Sequence, residues 1–214
     1  MKSDSPKKSL CVGVNYRPHI EEMGREVPEY PVVFTRFASS LVGHDEPVIR
    51  PRVSEQFDFE GELAIVIGRT ARHVPRDRAL DYVGGYCCFL DGSVRDWQRH
   101  TMQFTAGKNF EQSGAIGPMV SATEVGDPRD LELTTRVNGE IMQQGRIADL
   151  VFDIPYLVEY CSTFAQLEPG DVIATGTPGG VGAARTPPVW LRDGDVVEVE
   201  IPGVGLLRNP VRDE

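Results

Sequence analysis

The chain has 214 residues, the length of one domain with a core large enough to stand without disulfide or metal staples. Lysine and arginine number 22 against 32 aspartates and glutamates, a formal charge of −10 that excludes a general nucleic-acid or anionic-membrane surface. The 22 glycines and 16 prolines imply many turns, yet the composition excludes disorder, collagen and coiled coil.

Residues Met1–Ser9 are rich in lysine and serine and predict a mobile tail before a domain over residues 10–214. They lack the apolar segment of a secretory signal, and no apolar run approaches the ~18 residues of a membrane helix. Cys11, Cys87, Cys88 and Cys161 form no C-x-x-C and are expected as buried free thiols in a reducing cytoplasm, with Cys87 and Cys88 on opposite faces of a strand. Leu10–Val14 predicts a strand broken by Asn15-Tyr16-Arg17-Pro18, His19–Met23 a helical turn, and Val32–Phe37 a second strand.

Phe57–Gly68 alternates with period two. One face carries Phe57, Phe59, Gly61, Leu63, Ile65 and Ile67, and the other Asp58, Glu60, Glu62, Ala64 and Val66. Pro75–Tyr82 predicts a short helix, Tyr86–Leu90 a strand ending at Asp91, and Arg95–Gln98 a helical turn. Leu131, Leu133, Thr135 and Val137 alternate into Asn138-Gly139, a hairpin turn. Asp153 and Pro155 open a helix whose Ile154, Leu157, Val158, Cys161 and Phe164 share a face, and Pro169-Gly170 closes it. Asp171–Thr175 predicts a strand before the glycine-rich loop Gly176–Gly182. Val196–Ile201 and Leu206–Val211 flank a Pro202-Gly203 turn. Many short strands with few helices give a β-dominated α+β fold.

Glu60 and Glu62 project from one side of a strand about 7 Å apart. Carboxylates beside a buried sheet face repel one another and resist desolvation, and a divalent cation removes both penalties, with Asp91 as a third oxygen ligand. Three carboxylates without histidine select Mg²⁺ or Mn²⁺, and admit Ca²⁺, over zinc. The other reading of Glu-x-Glu is the solvent side of an edge strand. His19 and Glu22 meet if their turn is helical, which suits a general base for water, or they are a surface histidine beside acids. Lys108 suits an oxyanion or a substrate carboxylate, or simply a solvated surface. The loop Gly176–Gly182 lacks both nucleotide-binding glycine patterns, though its amides and the Thr177 hydroxyl suit a small carboxylate.

Taken in order, these segments resemble the fumarylacetoacetate hydrolase family from about residue 10 to the C-terminus. The resemblance rests on Gly13-Val14-Asn15-Tyr16 with His19 and Glu22, Phe59–Gly68, Asp81–Tyr86, and Leu90-Asp91 followed by Arg95-Asp96-Trp97-Gln98. Lys108, Gly117-Pro118, Val137–Glu140 and Leu167–Gly182 complete it. It implies a mixed β-roll or barrel-like catalytic domain in its short form, usually a homodimer, with Mg²⁺ or Mn²⁺ on Glu60, Glu62 and Asp91. It also implies a water-activating pair, His19 and Glu22, on a lid segment within residues 10–45. Lys108 falls near the reacting carbon, Thr177 at the substrate carboxylate, and Arg95 and Gln98 along the site. Asn109 departs from the family's usual Lys-Ser-Phe-Asp.

The implied chemistry is that of a 2-oxo or 1,3-diketo acid, in which a metal-bound enolate forms by cleavage, CO₂ loss or proton transfer. The retained dyad puts C–C hydrolysis of an acylpyruvate-like acid first, in aromatic or amino-acid breakdown. Decarboxylation or tautomerisation of oxaloacetate-like or hydroxymuconate-like acids comes next, and a non-catalytic metal- or carboxylate-binding β-domain last. A small-molecule substrate, no nucleic acid and no membrane are the partner expectations.

Overall fold

The computed structural model describes residues 6–24 and 26–214. In chain order it begins with β1 (Ser9–Gly13), α1 (Arg17–Glu22), β2 (Val32–Arg36), β3 (Leu41–Val42), β4 (Val48–Arg50), β5 (Phe57–Asp58) and β6 (Gly61–Ile67). Then follow β7 (Val83–Leu90), β8 (Ser93–Val94), α2 (Arg95–Gln98), α3 (Thr105–Lys108), β9 (Gly114–Ile116), β10 (Val120–Ser121) and α4 (Ala122–Val125). The chain finishes with β11 (Glu132–Val137), β12 (Glu140–Arg146), α5 (Ile154–Phe164), β13 (Val172–Ala174), β14 (Val196–Ile201) and β15 (Gly205–Asp213).

Among the described residues two large sheets close around the main core, and β5 and β8 form a third, two-stranded sheet. The larger has the order β2-β1-β13-β6-β7-β9-β3 with β10 added on β7, and the smaller has the order β12-β11-β14-β15-β4. Both are mixed: β1 runs parallel to β13, β3 to β9 and β4 to β15, and the remaining ladders are antiparallel. Leu63, Ile65 and Ile67 from one sheet and Leu133, Val197, Val199 and Leu207 from the other fill the space between them. Gly61 lies where the sheets come closest. A Cβ there would fall 2.0 Å from Thr135 Oγ1, so only glycine fits. The result is a β-dominated mixed roll, as the pattern of short strands predicts.

The predicted Phe57–Gly68 strand divides in two. Phe57 and Asp58 pair with Val94 and Ser93, whereas Gly61–Ile67 pairs with β7 and β13. Because β6 is flanked on both sides, Glu62 is not on an edge strand, and the solvent-side reading of Glu-x-Glu falls. Leu63 and Cys88 face the inter-sheet core, while Ala64 and Cys87 join a second cluster with Cys11, Phe34 and Phe89 on the other face. The Cys87–Cys88 alternation therefore holds, and all four thiols are free and buried.

Asp153 caps α5 by accepting the Tyr156 N–H at 2.9 Å, as expected. Phe164 differs from the expectation: it is 54% exposed, because the last turn of α5 runs past the edge of the core that holds Ile154, Leu157, Val158 and Cys161. Pro75–Tyr82 forms a 3₁₀ segment over Arg76–Tyr82 rather than an α-helix. Asn138 and Gly139 adopt the positive φ of a tight hairpin.

Residues 1–5 of the expected tail lie outside the described residues. Lys8 and Ser9, at its inner end, are part of the fold: Ser9 starts β1, and the Lys8 N–H and Nζ both donate to Asp171. Of residues 10–45, expected to include a lid, β1 and β2 are built into the large sheet, and α1 lies in the connection between them. No described helix is long and apolar enough to cross a membrane.

Candidate active site

The ladder between β6 and β7 pairs Gly61 with Leu90 and Glu62 with Phe89, and continues as the Asp91 N–H donates to the Glu60 carbonyl at 2.9 Å. Glu60 and Asp91 therefore leave the sheet side by side, with Glu62 two residues along the same face. One carboxylate oxygen from each lies within 4.8 Å of the others, and all three residues are buried.

The surrounding charges decide what this cluster holds. Lys108, at the end of α3 and buried, donates Nζ to both Glu60 and Asp91. Arg36 donates to Asp91 Oδ1 at 2.7 Å, the Gly92 carbonyl at 2.9 Å and Ser113 Oγ at 2.7 Å. Arg95 donates Nε to Asp58 at 2.8 Å, one Nη to Glu60 at 2.6 Å and the other to Gln98 Oε1 at 2.9 Å. Burial alone pushes Glu60 up, but the Arg95 and Lys108 charges outweigh it and hold its carboxyl well below the usual range. Burial, then the Asp91 and Glu60 charges, push Glu62 well above its ordinary value, against the smaller pull of Lys108 and the Gly176 N–H at 2.8 Å.

Asp58, Glu60, Glu62 and Asp91 thus face three buried cations among the described residues, and Glu62 is the carboxylate left without one. One unbalanced charge, three oxygen donors and no thiolate or imidazole among them fit a hard divalent cation, Mg²⁺ or Mn²⁺.

Across the cavity stands α1. Asn15 ties its start to the sheet, donating to the Thr175 carbonyl at 2.8 Å and accepting the Phe152 N–H at 2.8 Å. Pro18 in the first turn and buried Ile20 set the helix, and His19 Nδ1 lies 3.4 Å from Glu22 Oε2. Glu22 also accepts the Gly180 N–H at 3.0 Å, which joins α1 to the loop after β13. Partial burial pushes the Glu22 carboxyl up, but the bonds from His19 and Gly180 prevail and lower it.

The cavity measures about 420 Å³ and brings together eight of the nine residues singled out in the sequence: Glu60, Glu62, Asp91, His19, Lys108, Arg95, Gln98 and Thr177. Glu22, the ninth, reaches it through His19. Two expectations change in detail. The Thr177 hydroxyl, expected for a substrate carboxylate, is spent on the Gly61 carbonyl at 2.9 Å and accepts from Gln143 Nε2 at 2.8 Å. The loop amides hold the chain's own acids: Gly176 bonds Glu62, Gly180 bonds Glu22, and Gly182 and Ala183 bond Asp58.

Sequence reading missed Arg36, Asp58 and Gln143. Arg36 shares a strand face with Val32 and Phe34, a cation among apolar neighbours that calls for a buried acid. Asp58 belongs to the three-carboxylate face but received no role. Gln143, buried opposite Thr135 beside an irregularity in the β11–β12 register, carries no local signal.

The description "Fumarylacetoacetate (FAA) hydrolase C-terminal" matches residues 8–212. The human mitochondrial protein named oxaloacetate tautomerase is 43% identical over 209 residues, covering 96% of this chain and 67% of that protein. A crystal structure described as 5-carboxymethyl-2-hydroxymuconate delta-isomerase from Mycobacterium smegmatis superposes with a TM-score of 0.87 at 40% identity, covering 98% of this chain and 80% of that one. A fumarylpyruvate hydrolase from Pseudomonas aeruginosa, solved with Mn²⁺ and pyruvate, gives 0.89 at 32% identity, covering 98% and 91%. The chain belongs to the fumarylacetoacetate hydrolase family and is one of its enzymes.

Proposed function

We propose that the chain is a divalent-cation-dependent enzyme that interconverts the keto and enol forms of an oxaloacetate-like 2-oxo acid. The observation that carries this reading is the facing of the Glu60–Glu62–Asp91 cluster and the His19–Glu22 pair across a single cavity. Glu60, Glu62 and Asp91 would hold Mg²⁺ or Mn²⁺, which would supply Lewis-acid chemistry to a 2-oxo acid.

Glu22 Oε2, 3.4 Å from His19 Nδ1, favours the tautomer with its hydrogen on Nδ1, in which Nε2 is the proton acceptor. Nε2 takes the proton from the carbon beside the 2-oxo group, and the C–H electron pair becomes the new C=C bond. The carbonyl π pair moves to oxygen, and the proton now on Nε2 is delivered to that oxygen to give the enol, which restores the neutral imidazole. Glu22 steadies the imidazolium in between. Lys108 holds Glu60 and Asp91 in place and sets a positive charge beside the oxygen that gains electrons. The name of the human relative supports tautomerisation. The sequence reading puts hydrolysis first, and the intact dyad together with the fumarylpyruvate hydrolase likeness keeps it as the second reading.

The test follows enol absorbance of oxaloacetate and pyruvate release from oxaloacetate and acylpyruvates, with Mn²⁺ and then with chelator. Accelerated ketonisation that vanishes with chelator and in Glu62→Gln is the expected result, and Mn²⁺ affinity of that variant falls tenfold or more, by about the amount lost with a ligand's own support. Pyruvate from acylpyruvates without tautomerisation gives the site to hydrolysis, and pyruvate from oxaloacetate alone gives it to decarboxylation. Mn²⁺ binding without any turnover leaves a non-catalytic metal-binding β-domain. The homodimer that the resemblance implies is part of the same proposal and is read by light scattering.

A further inference from the structure

The cavity wall carries a cation that the carboxylate cluster does not use. Arg95, Gln98 and Arg99 all line the cavity, while Trp97 turns away and packs edge-on against the Phe110 ring at 5.2 Å. The Arg99 N–H donates to the Arg95 carbonyl at 3.2 Å, so the two arginines stand one helical turn apart on the same face. Arg95 is buried and holds Asp58, Glu60 and Gln98; Lys108 is buried and holds Glu60 and Asp91. Arg99 is exposed, and its guanidinium has no hydrogen-bond or ion-pair partner among the described residues. The helix therefore leads outward from the buried cluster, and Arg99, just past its end, carries a guanidinium unpaired among the described residues. Val12, Val14, Thr101, Met102 and Phe104, which line the same cavity, are apolar or neutral.

We propose that Arg99 receives a second carboxylate of the substrate, at the end away from the 2-oxo group, and so selects 2-oxo dicarboxylic acids over acids with neutral tails. This deepens the reading of the site given above and rests on it. The spacing suits a short diacid. One turn separates the Cβ atoms of Arg95 and Arg99 by about 5–6 Å. The carboxyl carbons of a four-carbon diacid are three bonds apart, about 4 Å when extended. With the 2-oxo end at the level of Glu60, the distal carboxylate reaches the level of Arg99. A guanidinium grips a carboxylate through two parallel hydrogen bonds, and among the described lining residues Arg99 is the exposed arginine that offers this.

The test measures binding to the Mn²⁺-loaded protein by calorimetry with two ligands that cannot enolise, 3,3-difluorooxaloacetate and 3,3-difluoro-2-oxobutanoate. The wild type binds the diacid at least about tenfold more tightly, as one charge-assisted contact provides. Arg99→Gln brings the two affinities within about twofold by weakening only the diacid, and Arg99→Lys restores part of the preference. Unchanged binding of the monoacid shows that the variant is folded and its carboxylate cluster intact. A diacid preference that survives in Arg99→Gln, or its absence in the wild type, overturns the role of Arg99 and leaves the 2-oxo acid reading standing. Failure of both ligands to bind the wild type overturns that reading, and this inference with it.

Discussion

Arg36 shows how much of this site depends on single buried charges. Its guanidinium is fully enclosed, donates to Asp91 and Ser113, and balances an acid that otherwise adds to the repulsion around Glu62. Arg36→Met removes that balance and leaves Asp91 buried with only Lys108. The expected cost is about 3–5 kcal/mol, since breaking a buried pair strands a charge. For a chain of this length it corresponds to a fall of about 10 °C in melting temperature, read by calorimetry. Arg129→Met, whose pair with Asp127 is solvent-exposed, leaves the melting temperature unchanged in the same measurement. Val32, Phe34 and Arg36 alternate on one face, so a cation among apolar neighbours was there to be read. Its partner was not, because Asp91 lies 55 residues away.

At the scale of elements, the site depends on how closely α2 and α3 approach. A Cβ on Gly107 would fall 2.5 Å from both the Gln98 Cβ and its backbone nitrogen, so the helix bearing Lys108 can lie against α2 only with glycine there. Gly107→Ala forces the two helices apart and carries Lys108 away from Glu60 and Asp91. Turnover is expected to fall at least about 100-fold, as a displacement near 1 Å does at a reacting centre. A steady-state assay with Mn²⁺ present reads the loss in kcat. The sequence predicted the α2 turn and named Lys108, but not the short helix that carries it. Four residues of helix carry too little periodicity to be seen. The longer α5 was legible down to its Asp153 cap, and only Phe164 escaped, since exposure at a helix end depends on where the neighbouring core stops.

For the molecule as a whole, the four buried thiols tie stability to pH. Burial pushes Cys88 and Cys161 to about 12, and raises Cys11 and Cys87 as well. An unfolded thiol ionises near 8.5, so each thiol favours the folded state fully below that pH. The contribution is lost progressively as pH rises from about 8.5 towards the folded values. Urea midpoints should therefore fall between pH 8 and pH 10.5, and fall less steeply in the Cys88→Ala/Cys161→Ala double variant. Alkylation at pH 8 should label none of the four thiols in the native protein and all four in denaturant.

The β-rich pattern of the roll, the Asn138-Gly139 hairpin, the cap of α5 and the shared face of Glu60 and Glu62 are all legible in the residues alone. Each of these is written in neighbours a few residues apart, where backbone period and turn chemistry act. It took the packing of the sheets to make Arg36, Arg95 and Lys108 neutralise Asp58, Glu60 and Asp91 while Glu62 stays unmatched. That packing also turned the glycine-loop amides to the chain's own carboxylates and set Arg99 one turn beyond the cluster on the cavity wall. Those facts join residues 17 to 158 positions apart, or depend on which helix face meets a cavity. Strand order and sheet packing settle such distances, and no local pattern encodes them.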